Sequence, residues 1–490
     1  MNRLFVSVLA ILATTGCTKK VSDTHPSDTG NNVKARVELA PTSTADFRGL
    51  NWAAEGDNFK DGVVVPSGLN TSDSYAATKA IAGSIVEGFI QRGVNTIRLP
   101  VNPASVLGSW WSSYTAAIDT ATAKNMKVIL AYWEGNSSKD GLVDDVTQFR
   151  NMWQAIVNRY STNSNVYFEI FNEPHGYSAA NLTNLYADWL SRYPSAPQER
   201  VVLDGVGYAQ DVNTVGADSR LSGCLLSYHN YTWFNNSYTT TGDWEAAISA
   251  IGYPQRTIVT EAGIPMTNGK NYLGAPGQDR EIAYFQGITS GVRARGIGYV
   301  YWPGLATGDG YSLLLLSGGT LVTNNASGLS RLQYGWNLNN ITLPAGSFDS
   351  NAWYRITCRQ SGKSLDVNGS STANGGSIVQ WDYWGGNNQQ WKINSAGDGV
   401  FYITNRNSGK ALDVNGISTA GGASIIQWDY WGGANQQWKI VDIGFGAYEL
   451  INVNSGQALD VNGASGNNGA NIIQWYLSGN RNQQWQIVRL

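Results

Sequence analysis

"FEIFNEPHG", residues Phe168 to Gly176, is an apolar run rich in Phe and Ile that stops at Asn172 and Glu173, with a proline directly after. A charged residue beside a proline ordinarily opens a solvated turn, so this carboxylate carries meaning only if other runs end the same way. Between about Phe47 and Leu343, short apolar runs recur: "FRGLNW", "NTIRLP", "KVILAYW", "VYFEIFNEP", "RVVLDG", "CLLSYHNY", "TIVTEAG" and "YVYWPG". Segments between them, Tyr75 to Arg92, Trp110 to Lys124, Val146 to Tyr160 and Asp279 to Arg295, have the spacing of amphipathic helices. Eight strands alternating with helices predict an α/β fold, a (β/α)8 TIM barrel.

In that fold the C-terminal ends of the strands converge on one mouth. Six of the eight runs end in groups that do chemistry: Arg98, Trp133, Asn172 with Glu173, His229 with Tyr231, Glu261, and Trp302. Glu173 after strand four and Glu261 after strand seven are then expected to face each other. Two carboxylates across a pocket fit acid/base work on a glycosidic bond, one protonated at neutral pH and the other ionised.

Composition agrees with a sugar ligand and excludes other partners. The chain has 490 residues, room for two to four domains. With 33 basic and 36 acidic residues it lacks the basic face that nucleic acid requires. Trp (19) outnumbers Phe (12), beside 25 Tyr and 56 Gly, a mixture that supplies flat hydrogen-bonding platforms on loop-rich scaffolds. The histidines, His25, His175 and His229, form no cluster of metal-ligand spacing with the cysteines. No metal and no cofactor is expected. Cys224 and Cys358 lie about 130 positions apart in separate predicted domains, so a disulfide between them is not expected.

The C-terminal third repeats. "SLDVNGSSTANGGSIVQWDYWGGNNQQW", "ALDVNGISTAGGASIIQWDYWGGANQQW" and "ALDVNGASGNNGANIIQWYLSGNRNQQW" space Asp366, Asp413 and Asp460 by 47 residues, and Trp391, Trp438 and Trp485 keep the period. One such unit cannot bury a core face alone, and three close into one small all-β domain. The repeated Trp391, Trp438 and Trp485 are expected inside it. An Asp ahead of a turn either holds a sugar or caps backbone amides.

With its Gln-x-Trp endings this repeat resembles the ricin-type β-trefoil lectins (carbohydrate-binding module family 13) over about residues 352–490. The resemblance implies a sugar site in each lobe: Asp366, Trp381, Trp384, Asn388 and Gln389 in the first; Asp413, Trp428, Trp431, Asn435 and Gln436 in the second; Asp460, Trp475, Asn482 and Gln483 in the third. Ser364 and Tyr383 stand where many members have cysteines. Ser478 replaces the tryptophan that lobes one and two carry as Trp384 and Trp431.

Residues 46–343, with Asn172-Glu173-Pro174, a Glu ending strand seven and Trp302 ending strand eight, resemble glycoside hydrolase family 5. That resemblance implies a retaining mechanism, with Glu173 as general acid/base and Glu261 as nucleophile. It further implies that Asn172 holds the sugar 2-hydroxyl, Arg98 and Tyr231 serve Glu261, His229 tunes the acid, and Trp302 floors the sugar site. "AYWEG" departs from the pattern. Where many relatives have His, this chain has Trp133 and Glu134, expected as an extra platform and a polar subsite contact. The loop "NWAAEGDNFKDG" and the pair Trp110-Trp111 are expected as subsite walls or, alternatively, as surface packing.

The N-terminus reads as an export signal over residues 1–17: Asn2-Arg3, an apolar run from Leu4 to Ala13, then Thr14-Thr15-Gly16-Cys17, which resembles a bacterial lipoprotein cleavage box with Cys17 lipidated. Lipoprotein and simple secretion both remain open, and membrane attachment is expected only through the lipid. Residues 18–45 read as a flexible tether, 46–343 as the barrel, 344–351 as a linker and 352–490 as the trefoil. The expected activity is endo-acting hydrolysis of a β-linked polysaccharide by a monomer, with a further glycan held at the trefoil. The alternative is a glycan-binding surface protein whose barrel has no catalysis.

Overall fold

The computed structural model describes residues 43–343, 347–397, 399–444 and 446–490. The export segment with Cys17, and the tether up to residue 42, lie outside the described residues. Among those described, no helix is long and apolar enough to cross a membrane.

Eight parallel strands run in sequence order: β1 (Arg48–Trp52), β2 (Thr96–Val101), β3 (Lys127–Tyr132), β4 (Val166–Glu169), β5 (Val201–Asp204), β6 (Leu225–Asn230), β7 (Thr257–Ala262) and β8 (Gly298–Leu305). Pairing of β8 with β1 closes the barrel, as the alternation of runs predicts. Helices Tyr75–Ile90, Trp111–Ala123, Val146–Tyr160 and Arg280–Arg295 fall where the periodicity places them. Their starts have a local cause: Ser74, Asp145 and Asp279 each accept backbone N–H groups of the first turn. The last helix ends at Gly296 in the left-handed conformation, φ 63°.

Strand side chains alternate between the barrel interior and the helices. The lowest interior layer is apolar, built of Phe47, Ile129, Val202, Leu225, Ile258 and Val300. Two residues further along β3 and β8 come Ala131 and Trp302, packed in one cluster with Trp133 and Phe59. Polar side chains fill the rest of the upper interior: Asn51, Arg98, Glu169, Asp204 and His229 are all buried. The interior therefore changes from grease at the bottom to charge at the top within two residues of each strand.

The second domain has four strands per lobe: Tyr354–Cys358, Ser364–Val367, Gly376–Trp381 and Trp391–Gly397; then Val400–Asn405, Ala411–Val414, Ile425–Trp428 and Trp438–Gly444; then Ala447–Asn452, Ala458–Val461, Ile472–Trp475 and Trp485–Arg489. Trp391, Trp438 and Trp485 are fully buried at its centre, each donating its indole N–H to a carbonyl of its own lobe, Leu365, Leu412 and Leu459. They form the core, as the repeat implies. Cys224 and Cys358 are both buried and free. Residues Ile341–Thr342 pair antiparallel with Trp438–Gly444, and Arg293 of the barrel's helix donates to the Ile443 carbonyl at 2.9 Å.

Candidate active site and lectin sites

Arg98 on β2 organises the barrel mouth. Its Nε and Nη2 form a fork onto Glu169 (2.8 and 2.5 Å), Nη2 also reaches Asn172 Oδ1 (2.7 Å), and Nη1 reaches Asn51 Oδ1 (3.0 Å) and a carboxylate oxygen of Glu261. Burial by itself disfavours the guanidinium charge, but the carboxylates of Glu169 and Glu261 more than reverse this and hold its pKa above the usual arginine value. The fork fixes the plane of the guanidinium, which a lysine would not do.

Glu261 is placed by an irregularity. Between Tyr228 and His229 of β6 the register against β7 shifts, so that Tyr228 faces Val259 but His229 faces Glu261. Strict alternation would send Thr260 inward and Glu261 out. The bulge lets both face in: Thr260 meets Ser227 inside the barrel, while Glu261 meets Arg98 and accepts from Tyr231 Oη at 3.0 Å. Burial raises the Glu261 pKa; His229 and Arg98 pull against it, and the nearby Glu173 adds to it.

Glu173 follows β4 in the left-handed region, φ 53°, an uncommon setting for a residue with a side chain. Its backbone N–H donates to Asp204 Oδ2 at 2.9 Å, which holds the turn. Its side chain is 16 % exposed and lies 3.0 Å from His229 Nδ1. Burial raises its pKa to about 7, against the opposing pull of Arg98. Burial likewise lowers His229 to about 4, so the imidazole is neutral at neutral pH. Oxygens of Glu173 and Glu261 and a ring nitrogen of His229 all lie within 4.8 Å of one another. Asn172 completes the centre: Arg98 holds its Oδ1, while its buried Nδ2 has no partner.

Trp302 stacks on Trp133 (centroids 5.4 Å, planes 23° apart), and Trp133 meets Phe59 edge-on at 4.7 Å. All three line the cleft, but Trp133 is only 3 % exposed and acts chiefly as a backing for Trp302. Glu134 does not reach the cleft. It is buried and accepts from the backbone N–H groups of Asp140 and Gly141, so it fastens its own loop. Trp110 and Trp111 are packing rather than walls: Trp110 stacks on Tyr114 and donates to the Asn70 carbonyl, and Trp111 packs edge-on against Tyr114 and Tyr160. From the acidic loop after β1, Asp57 and Phe59 do line the cleft.

Sequence reading missed Asn51, Glu169 and Asp204. The signal for Glu169 was present in the opening stretch, a carboxylate inside an otherwise apolar run and four residues before Glu173. Asp204 ends β5 as Glu173 follows β4, and its Oδ1 is buried without a partner. Two groupings, Glu169–Asp204–His229 and Glu173–His229–Glu261, have spacing that a cation can use. The Arg98 guanidinium already stands among them as the neutralising charge.

The trefoil sites are simpler. Asp366, Asp413 and Asp460 accept from Asn388, Asn435 and Asn482 at 3.0, 3.0 and 2.9 Å. Trp381, Trp384, Trp428, Trp431 and Trp475 all present exposed rings beside them. Gln389, Gln436 and Gln483 are fully buried. They clamp the backbone of the preceding turn, as when Trp384 N donates to Gln389 Oε1 and Gln389 Nε2 donates to the Asp382 carbonyl. Concavities of about 310 and 340 Å³ sit at Asp413 and Asp460; Asn415 and Asn462, which the sequence reading did not name, line them. Burial raises Asp366 to about 6, and the Gln389 and Asn388 amides pull against it.

A (β/α)8 barrel with two carboxylates facing each other at its mouth, joined to a trefoil with exposed tryptophans, defines a glycoside hydrolase with a carbohydrate-binding module. The cellulase model (glycosyl hydrolase family 5) matches residues 54–304, and the chain belongs to that family. The model for ricin-type beta-trefoil lectin domain-like sequences matches residues 336–428 and 434–490. Among solved structures, the designed three-fold symmetric protein ThreeFoil is 51 % identical over 28 % of this chain and 99 % of its own, with a TM-score of 0.28. An exo-beta-1,3-galactanase from Clostridium thermocellum is 40 % identical over 28 % of this chain and 30 % of its own, also at 0.28. A ricin B-like lectin of Macrolepiota procera, solved with lactose, is 24 % identical over 29 % of this chain and 99 % of its own, at 0.26. No curated protein matches the chain.

Proposed function

We propose that the protein is a retaining, endo-acting β-glycosidase that hydrolyses a β-linked polysaccharide, a glucan such as cellulose or a mannan or xylan, while its trefoil holds the glycan. The observation that carries this reading is the pair Glu173 and Glu261, with carboxylate oxygens within 4.8 Å and different partners, Arg98 and Tyr231 on Glu261 and His229 on Glu173. Retaining enzymes hold their carboxyls about 5–5.5 Å apart, whereas inverting enzymes need roughly 6.5–9.5 Å to admit a water.

Glu261, where His229 and Arg98 oppose the rise that burial causes, attacks the anomeric carbon in its ionised form. Glu173 carries the proton at neutral pH and gives it to the departing glycosidic oxygen. The glycosyl ester on Glu261 then breaks as water attacks from the vacated side, its proton passing to Glu173. Asn172 Nδ2, unpartnered and aimed by the Arg98 bond on its other end, supplies the hydrogen bond to the sugar 2-hydroxyl that tightens in the oxocarbenium-like transition state. Trp302 offers its face to the C–H side of that sugar. Export, as lipoprotein or free protein, belongs to the same proposal.

Glu261→Ala is expected to cut turnover of a polysaccharide panel by at least about 10⁴-fold while retention of the protein on insoluble glycan survives. Near-normal turnover in that variant overturns the assignment. Product chromatography on the same panel identifies the polymer and the mode of attack.

A further inference from the structure

The stretch between the two domains, residues 344–351, carries one large apolar side chain, Phe348, among small and polar residues. A flexible linker has no need of an aromatic ring. The Phe348 ring meets Tyr354, Phe401 and Tyr448 edge-on, with centroids 5.5, 5.5 and 6.4 Å away. Those three residues are spaced by 47, the period of the trefoil repeat. Phe348 therefore touches the same position of all three lobes, where they converge on the domain's core. Ahead of it, Ile341 and Thr342 pair with Asp442 and Val441, and the Leu343 N–H donates to the Ile440 carbonyl at 2.8 Å.

We propose that barrel and trefoil are docked as one body, with residues 341–348 as a strap seated in the trefoil and a face of the barrel closing on its second lobe. This goes beyond the glycosidase reading and does not depend on it. The barrel face comes from the helices Arg280–Arg295 and Ala326–Gly335. Tyr334, only 1 % exposed, lies between the guanidinium groups of Arg293 and Arg331, each 4.3 Å from its ring centroid. Held there, it donates its hydroxyl to Asp442 Oδ2 at 2.6 Å. Arg293 binds the Tyr334 and Asn339 carbonyls on its own side and the Ile443 carbonyl across the joint. The repeat supplies an internal control. Asp442 has Ser395 and Arg489 at the equivalent positions of the other lobes, neither of them a carboxylate. A Cβ on Gly444 would collide with the Arg293 side chain, whereas the equivalent Gly397 has open space around it. The second lobe is thus the one shaped for this face. Trp381, Trp384, Trp428, Trp431 and Trp475 stay exposed in the docked chain, so the joint leaves the lectin faces free. A flexible tether would spread them over many distances from the barrel mouth; a docked joint fixes one.

The test cuts the chain. A protease recognition sequence inserted between Ser350 and Asn351, both exposed turn residues, leaves Phe348 on the barrel piece and all three lobes on the other. After cleavage the two pieces of the unaltered protein are expected to run together in size-exclusion chromatography at about 1 µM. Phe348→Ala is expected to raise the dissociation constant between the pieces at least about tenfold. Tyr334→Phe, which keeps the ring and loses only the bond to Asp442, is expected to raise it about tenfold. Pieces of the unaltered protein that separate at that concentration overturn the joint. A dissociation constant that is the same with and without Phe348→Ala overturns the strap. Neither result bears on Glu173 and Glu261, so the glycosidase reading stands or falls separately.

Discussion

The barrel mouth and the trefoil bind the same kind of molecule with opposite architecture. Arg98 draws its partners from 47 to 163 positions away along the chain, on or just after three other strands. Each trefoil Asp takes its amide from 22 residues further on in the same lobe, three times over. In the barrel the charges are buried and wired to one another; in the trefoil the aromatic faces stand in solvent. Bond cleavage needs charges whose protonation is set by a dry, fixed surrounding. Adhesion needs repeated open faces, each weak, that gain through simultaneous engagement.

The sharpest way to break the contrast is to remove the long-range hub. Arg98→Ala leaves Glu169 and Glu261 buried without their cation, a change that costs about 3–5 kcal/mol where a buried pair is broken. Calorimetry is expected to show the barrel transition falling well below that of the unaltered protein, and kcat/KM to fall at least about 10³-fold. An unshifted transition would mean that the carboxylates are neutralised in another way.

The next effect is in pH. Glu173 has a raised pKa of about 7, so its acid form persists up to that pH and is lost above it. For catalysis by the protonated form the sign is therefore a fall: kcat/KM declines about tenfold per unit as pH rises past about 7. A profile flat to pH 9 on natural substrate would remove Glu173 from the acid role.

The smallest effect belongs to the trefoil. Asp413→Ala removes one of three candidate sites, and retention on insoluble glycan is expected to fall only a few-fold, by more than turnover of a soluble oligosaccharide does. A complete loss of retention would mean that the lobes do not share the load.

The two regions also differed in how legible they were. The trefoil was readable because its information is local and repeated, so period and turn residues fixed the lobes, and the buried Trp391, Trp438 and Trp485 followed. The barrel's strands and several strand-end residues were equally plain from alternation. What the pattern did not carry was which side chains turn inward below the rim. Glu169 and Asp204 look like ordinary strand residues until the pleat is known, and Glu261 faces inward only through the register shift opposite His229. Glu134 and Trp110 erred the other way. Each follows a strand near the rim, but backbone hydrogen bonds and ring packing turn both away from the cleft.

The central claim is that Glu261 and Glu173 act by double displacement. The most direct measurement is proton NMR of the first sugar released from a β-linked substrate, read before the anomers equilibrate. The account predicts the β-anomer, the configuration of the bond that was cut. Initial release of the α-anomer would contradict it.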